Sequence, residues 1–146
     1  MRRQRCVLLL LLSILGLSVP ASGQQVGPTG KQDSGFHLEQ NYPNPFNTET
    51  KIPFVLYEDL FVDGKPVVVS VRIFNVLQQY ITAPTALNHP EGEGVPLLEL
   101  AYPTPGRYEA YWDGRDARGR HVASGTYFVQ LVVNGRSQVQ RMYVTK

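Results

Sequence analysis

Apolar residues in this chain recur at every second position in short runs, and that period limits what the chain can fold into. Ile52, Phe54 and Leu56 share one face of a run; Val67, Val69, Val71 and Ile73 share a face of the next, opposite Ser70 and Arg72. Tyr108, Ala110 and Trp112 follow the same spacing, as do Tyr127, Val129, Leu131 and Val133, then Met142 and Val144, while Leu98 and Leu100 suggest a further strand. Alternation at period two puts successive side chains on opposite faces of a half-buried strand. No eleven-residue window beyond the N-terminal leader carries a helical period. Turn signals at Asp63-Gly64, Asp113-Gly114, Gly119, Ser124-Gly125 and Asn134-Gly135 separate the runs. The expected architecture is a two-sheet antiparallel β-sandwich. Asn134-Gly135 is the sharpest local signal, a tight hairpin between the last two strands. Pro53 marks its strand as an edge or a bulge, and Thr82 to Pro96, with three prolines and two glycines, reads as a long surface loop.

Residues 1–23 read as a secretory signal. Basic residues precede an apolar run from Val7 to Leu17, then come Pro20, Ala21, Ser22 and Gly23. The run is too short to span a bilayer as a stable helix. The formal net charge is +2, but Arg2, Arg3 and Arg5 lie in the leader; setting them aside leaves eleven basic residues against twelve acidic. That balance removes any argument from basicity for a nucleic-acid or anionic-lipid partner. Cys6, the single cysteine, also lies in the leader. The exported chain is therefore expected to have no disulfide, no thiol nucleophile, no cysteine-ligated zinc and no lipid anchor.

Residues 24–35, QQVGPTGKQDSG, are polar and aperiodic, a flexible tether. Residues 36–146 form the domain. Its opening, FHLEQNYPNPFN, alternates prolines at 43 and 45 with Asn41, Asn44 and Asn47, which points to an extended, turn-rich strap with Tyr42 and Phe46 tucked against a core.

Motifs that could carry chemistry are sparse. WDGRDARG (Trp112 to Gly119) offers Asp113 and Asp116 beside Arg115, Arg118 and Arg120. A calcium loop needs alternating oxygen ligands and a terminal bidentate acid; here the aspartates read instead as caps of their own turns. Trp112 reads as a core anchor whose truncation to alanine should be severely destabilising. His37, His89 and His121 are dispersed without ligand spacing. Ser70, Ser124 and Ser137 lack the context of a nucleophile, and there is no phosphate-binding glycine loop. The expectation is a protein that is not an enzyme, with no cofactor and no metal. Tyr111, Phe128 and Tyr143 point outward and would make an aromatic partner-binding patch if their strands were neighbours.

The stretch QNYPNPFN (Gln40 to Asn47), followed by Thr50-Lys51-Ile52 and Phe54-Val55-Leu56, resembles the opening of the type A C-terminal sorting domains of the type IX secretion system. The tail resembles them too: Pro105-Gly106-Arg107-Tyr108, Trp112-Asp113-Gly114-Arg115-Asp116, Gly119, Ser124-Gly125-Thr126-Tyr127-Phe128, Gly135, Met142 and Lys146. The same tail is similar to the immunoglobulin-like domain of the flagellar hook-capping protein. Thr48, Gln78-Gln79 and the Thr82 to Pro96 stretch depart from the pattern. The resemblance implies an all-β, immunoglobulin-like antiparallel sandwich of about seven strands. It also implies Sec export, then recognition by outer-membrane secretion machinery that directs the chain to the cell surface or medium. The alternative is a free-standing adhesion or assembly module in the periplasm or at the surface.

Gly125, Tyr127, Gly135, Met142 and Lys146 are the candidate sorting or partner-binding residues. The last strand, Ser137 to Val144, reads as held on one side of its ladder only, a handle for a receptor, with Lys146 as a cation beside the terminal carboxylate. On the competing reading Met142 and Val144 close the core and Lys146 solubilises the edge. Removal of Thr145 and Lys146 is expected to leave the melting temperature nearly unchanged.

Overall fold

Two antiparallel sheets face each other across a core built from the alternating residues, in an immunoglobulin-like sandwich. The computed structural model describes residues 35–146; the signal segment 1–23 and nearly all of the 24–35 tether lie outside the described residues. One sheet is ordered β1 (Phe36–Leu38), β2 (Thr50–Leu56), β7 (Gly106–Trp112), β5 (Thr85–Ala86). The other is ordered β4 (Tyr80–Thr82), β3 (Val67–Asn75), β8 (Gly125–Val133), β9 (Arg136–Val144), with β6 (Leu100–Tyr102) also paired to β3. Four of the nine strands have three residues or fewer, too short for alternation to announce them. A single 3₁₀ turn, Glu58–Phe61, is the only helical element among the described residues.

Register fixes which side chains meet. In the first sheet Ile52 lies opposite Ala110 and Phe54 opposite Tyr108, so a large residue faces a small one in one row and two rings meet in the next. In the second, Val69, Val71 and Ile73 lie opposite Val133, Leu131 and Val129. All of these are fully buried except Tyr108, which is half-buried at the margin rather than inside the core as its spacing suggested.

Tyr108 and Tyr127 are placed by the same device. Each follows Gly-x, each glycine has a strongly positive φ (153° at Gly106, 149° at Gly125), and each hydroxyl donates to the carbonyl four residues upstream. The glycine lets the chain enter the strand from a direction that an L-residue avoids. The tyrosine hydroxyl then pins that entry, as in the tyrosine corner of immunoglobulin-like domains.

Several local expectations are corrected. Pro53 sits on β2, which runs between β1 and β7 and is not an edge strand. Its carbonyl accepts from the Glu39 N–H at 2.9 Å, but proline has no N–H to return the bond, so the β1 ladder stops at Leu38. The 82–96 stretch is not simply surface loop: Pro84, Ala86 and His89 are buried in it, and Thr85–Ala86 pairs with β7. Leu97, not Leu98, turns inward. Glu99 takes a φ of 50°, which breaks the alternation, and its N–H is held by the Ser70 hydroxyl at 2.8 Å. The Asn134-Gly135 hairpin forms as expected, with φ of 48° and 81°, the pair of left-handed residues that a tight I′ turn requires.

Trp112 anchors the core. Its ring packs edge-on against Phe46 (centroids 5.3 Å apart) and Tyr127 (5.7 Å), and its indole N–H donates to the Arg115 carbonyl at 2.9 Å. Trp112→Ala is expected to lower stability by about 3–5 kcal/mol. Denaturant titration checks this, and a loss under about 1 kcal/mol would mean that the indole does not fill the core.

Candidate functional site

The residues that carry the family resemblance at the two ends of the domain are joined in space. Asn41 begins the strap: its amide donates to the Thr50 hydroxyl at 3.0 Å, and that hydroxyl donates to the Pro43 carbonyl at 3.0 Å. Tyr42 and Lys51 exchange both backbone hydrogen bonds, each 2.9 Å. The Tyr42–Pro43 and Asn44–Pro45 peptide bonds are cis. The strap then reaches the outer edge of β9. Phe46 N–H donates to the Tyr143 carbonyl at 3.0 Å, Thr145 N–H donates to the Phe46 carbonyl at 2.8 Å, and Phe46 forms a parallel bridge with Val144. Tyr143 N–H finds the Asn44 side-chain oxygen at 3.0 Å, and the Gln40 amide caps the Arg141 carbonyl at 3.0 Å.

The expectation of an unobstructed terminal strand is therefore corrected. From Arg141 to Thr145 the outer edge of β9 is already occupied, because the strap supplies the donors and acceptors that a receptor strand would need. Gln138 and Gln140 face β1 and act as its surrogate neighbour. The Gln138 side chain accepts from Leu38 N–H at 2.8 Å and donates to the Phe36 carbonyl at 2.8 Å; Gln140 donates to the Leu38 carbonyl at 3.3 Å. Phe46 is buried as expected, but Tyr42 is exposed on the outer face of the first sheet, where its hydroxyl donates to Glu109.

The five candidate residues do not make one site. Tyr127 lies opposite Met142 and both are buried in the core; Gly125 lies opposite Val144 at the same end, with Lys146 exposed just beyond. Gly135 is in the turn at the far end of the hairpin, a nine-residue strand away, roughly 30 Å at 3.3 Å per residue. Nor do Tyr111, Phe128 and Tyr143 form one patch, since Tyr111 belongs to β7 of the opposite sheet.

In the 113–121 loop the aspartates cap turns. Asp113 accepts from Arg115 N–H at 3.1 Å. One Asp116 oxygen takes the N–H groups of Arg118 and Arg120 at 2.9 and 3.0 Å, and the other takes the Arg120 guanidinium at 3.0 Å. These bonds leave both Asp116 oxygens engaged. Gly114 lets the loop approach the strap: with a φ of 70°, it has room for no Cβ beside the Thr48 carbonyl, which would lie 3.0 Å from one. Sequence reasoning missed His89. Its Nε2–H donates to the Ala101 carbonyl at 2.8 Å while Nδ1 accepts from Glu91 N–H at 3.1 Å, so the ring ties the 82–96 stretch to β6.

The two outer faces differ in chemistry. On the first sheet the charged and hydroxyl groups satisfy one another: Arg107 pairs with Glu39 at 2.8 Å, and Tyr111 donates to Glu49 at 2.6 Å. On the second, the outward positions of β3, β8 and β9 include Phe74, Phe128, Val132, Val139 and Tyr143 with Arg72 and Arg141, and no carboxylate. A trough of about 500 Å³ lies there between Phe74, Val76, Phe128, Gln130 and Val139.

No family model matches the chain and no curated protein is similar to it. Among solved structures, it is similar to dimeric latent PorU from Porphyromonas gingivalis, with 18% identity and a TM-score of 0.50 over 75% of this chain and 9% of that one. It also matches PorZ of the same organism, an essential surface component of the type IX secretion system, at 20% identity and a TM-score of 0.42 over 82% of this chain and 12% of that one. A third similar structure is the Pseudomonas fluorescens alkylpurine DNA glycosylase AlkC bound to DNA, at 16% identity and a TM-score of 0.49 over 77% of this chain and 31% of that one. The chain thus spans about a tenth of PorU and PorZ. At these identities the likeness concerns the fold alone. Among the described residues no helix is long and apolar enough to cross a membrane.

Two measurements test this geometry. Removing Thr145 and Lys146 deletes the donor to the Phe46 carbonyl, so stability should fall by about 1 kcal/mol, a shift of a few degrees in melting temperature, and not stay unchanged. Asp116 is held below the usual carboxylate range, first by the backbone N–H of Arg120 and then by its guanidinium. Its contribution is therefore present above the unfolded value of about 4 and is lost as pH falls through the lower folded value. Asp116→Asn should destabilise at pH 7, and its deficit against the parent should shrink as pH is lowered through the carboxylate range, read by thermal melts at a series of pH values.

Proposed function

We propose that the 36–146 domain is a non-enzymatic type IX sorting module, which follows Sec export and directs the chain to the cell surface or medium through outer-membrane secretion machinery. The observation that carries this reading is the clamp of the strap on β9. The two segments that resemble sorting domains, Gln40–Asn47 and the tail, meet edge to edge through Phe46, Tyr143 and Thr145. A receptor that must distinguish a finished domain from a partly folded one has there a feature that exists only when both segments are in place.

The apolar second-sheet face favours a second reading, an assembly module that works by binding a protein. The two readings separate by location. The full chain, tagged after Val26, should reach the surface or medium in a host with the type IX translocon and stop in the periplasm of a host that lacks it. The same distribution in both hosts would refute the sorting role.

A further inference from the structure

The outer face of the β3, β8 and β9 sheet combines what protein interfaces favour: aromatic anchors and arginine without competing acids. Register sets Arg72 beside Gln130 and Phe128 beside Arg141, so the two arginines flank the Phe74, Phe128 and Val139 trough at diagonal strand positions, with the Arg141 guanidinium over the Tyr143 ring at 5.5 Å from its centroid. Among the described residues neither arginine has a carboxylate within ion-pair distance, whereas Arg107, Arg115 and Arg120 each do. Beside the trough, the β3–β4 turn leaves Val76 and Leu77 61% and 74% exposed. A strand cannot be added along the strap-covered part of β9, so an occupant of this region docks on the face.

A matching element is carried at the other end of the same domain. The 57–63 segment, YEDLFVD, holds Glu58, Asp59 and Asp63 with no basic residue, and it presents Val62 at 80% and Tyr57 at 48% exposure. It leads into the start of β3, while the trough lies at that strand's far end, seven residues or roughly 23 Å away. One molecule's acidic turn therefore does not reach its own trough, but it can reach a neighbour's.

We propose that the trough receives the 57–63 turn of a second copy of this chain, with Val62 and Tyr57 seated on Phe74, Phe128 and Val139 and with Glu58 and Asp59 against Arg72 and Arg141. The two patches lie at opposite ends of the domain, so one contact leaves a turn free on one copy and a trough free on the other, and further copies add head-to-tail beyond the dimer, as a ring or an open chain. This inference is independent of the secretion route.

Sedimentation velocity of the purified protein over a concentration series tests it. The average sedimentation coefficient should keep rising with concentration past the dimer value, and the rise should diminish in 0.5 M salt as the charges are screened. Arg72→Glu with Arg141→Glu, and separately Glu58→Lys with Asp59→Lys, should each weaken association on the order of tenfold or more. An equimolar mixture of the two variants, each verified as folded by circular dichroism, should restore it, because the acidic trough of one then meets the basic turn of the other. A monomer at all concentrations, a plateau at the dimer, or a mixture that fails to reassociate would overturn the proposal; the first would leave the trough to a different acidic, apolar protein.

Discussion

The backbone exchange between Phe46 and the Tyr143 to Thr145 segment is the constraint on which the domain's geometry depends. It closes the outer edge of β9, brings the Phe46 ring against Trp112, and holds Thr48 where Gly114 must stay without a side chain. Through Trp112 and its indole bond to Arg115, the same contact sets the start of the 113–121 loop. Strap, core tryptophan and arginine-rich loop are thus one mechanical series, and a change in any of them is felt in the others. Neighbours this close do not behave additively.

Edge protection elsewhere uses means that are equally local. Glutamine side chains stand in for a strand beside β1, the Val95 carbonyl takes the Ala86 N–H at 2.8 Å beside β5, and Ala117 N–H takes the Ile81 carbonyl of β4 at 3.0 Å. These devices satisfy exposed ladder groups without extending the sheets. The faces, not these edges, then carry the molecule's chemical asymmetry: one is a self-paired polar network, the other is apolar with two arginines that have no carboxylate partner among the described residues.

Much of this was legible in the sequence. Period-two runs located every strand longer than three residues, because alternation survives wherever a strand is half-buried, and Asn134-Gly135 located its hairpin because few other residue pairs tolerate two left-handed positions. What stayed hidden depended on tertiary partners. Nothing local distinguishes Gln138 from any surface glutamine until β1 lies opposite it, nor His89 from a loop histidine until Ala101 is in reach. Leu98 misled because the positive φ of Glu99 breaks the alternation, and Pro53 misled because a missing N–H costs nothing where the neighbouring strand ends. The candidate site was the least legible part. Its five residues were picked by motif, yet Tyr127 and Met142 are core, Gly135 is remote, and the joint itself is made by main-chain atoms of Phe46, Tyr143 and Thr145 that any residue but proline could supply.

Phe46 and Thr145 are separated by about a hundred positions, so the strap emerges in synthesis well before its partner does. Until Tyr143 and Thr145 are available, the Phe46 N–H and carbonyl lack the backbone partners that they have in the folded domain. A contact of such long range makes folding slow and late, because the whole intervening chain must be ordered before the contact forms. The clamp therefore forms only when segments from both ends of the described domain are present. A chain that stops short of β9 can form the earlier hairpins, but it leaves the outer edge of β8 and the strap without the partner that they have in the folded domain.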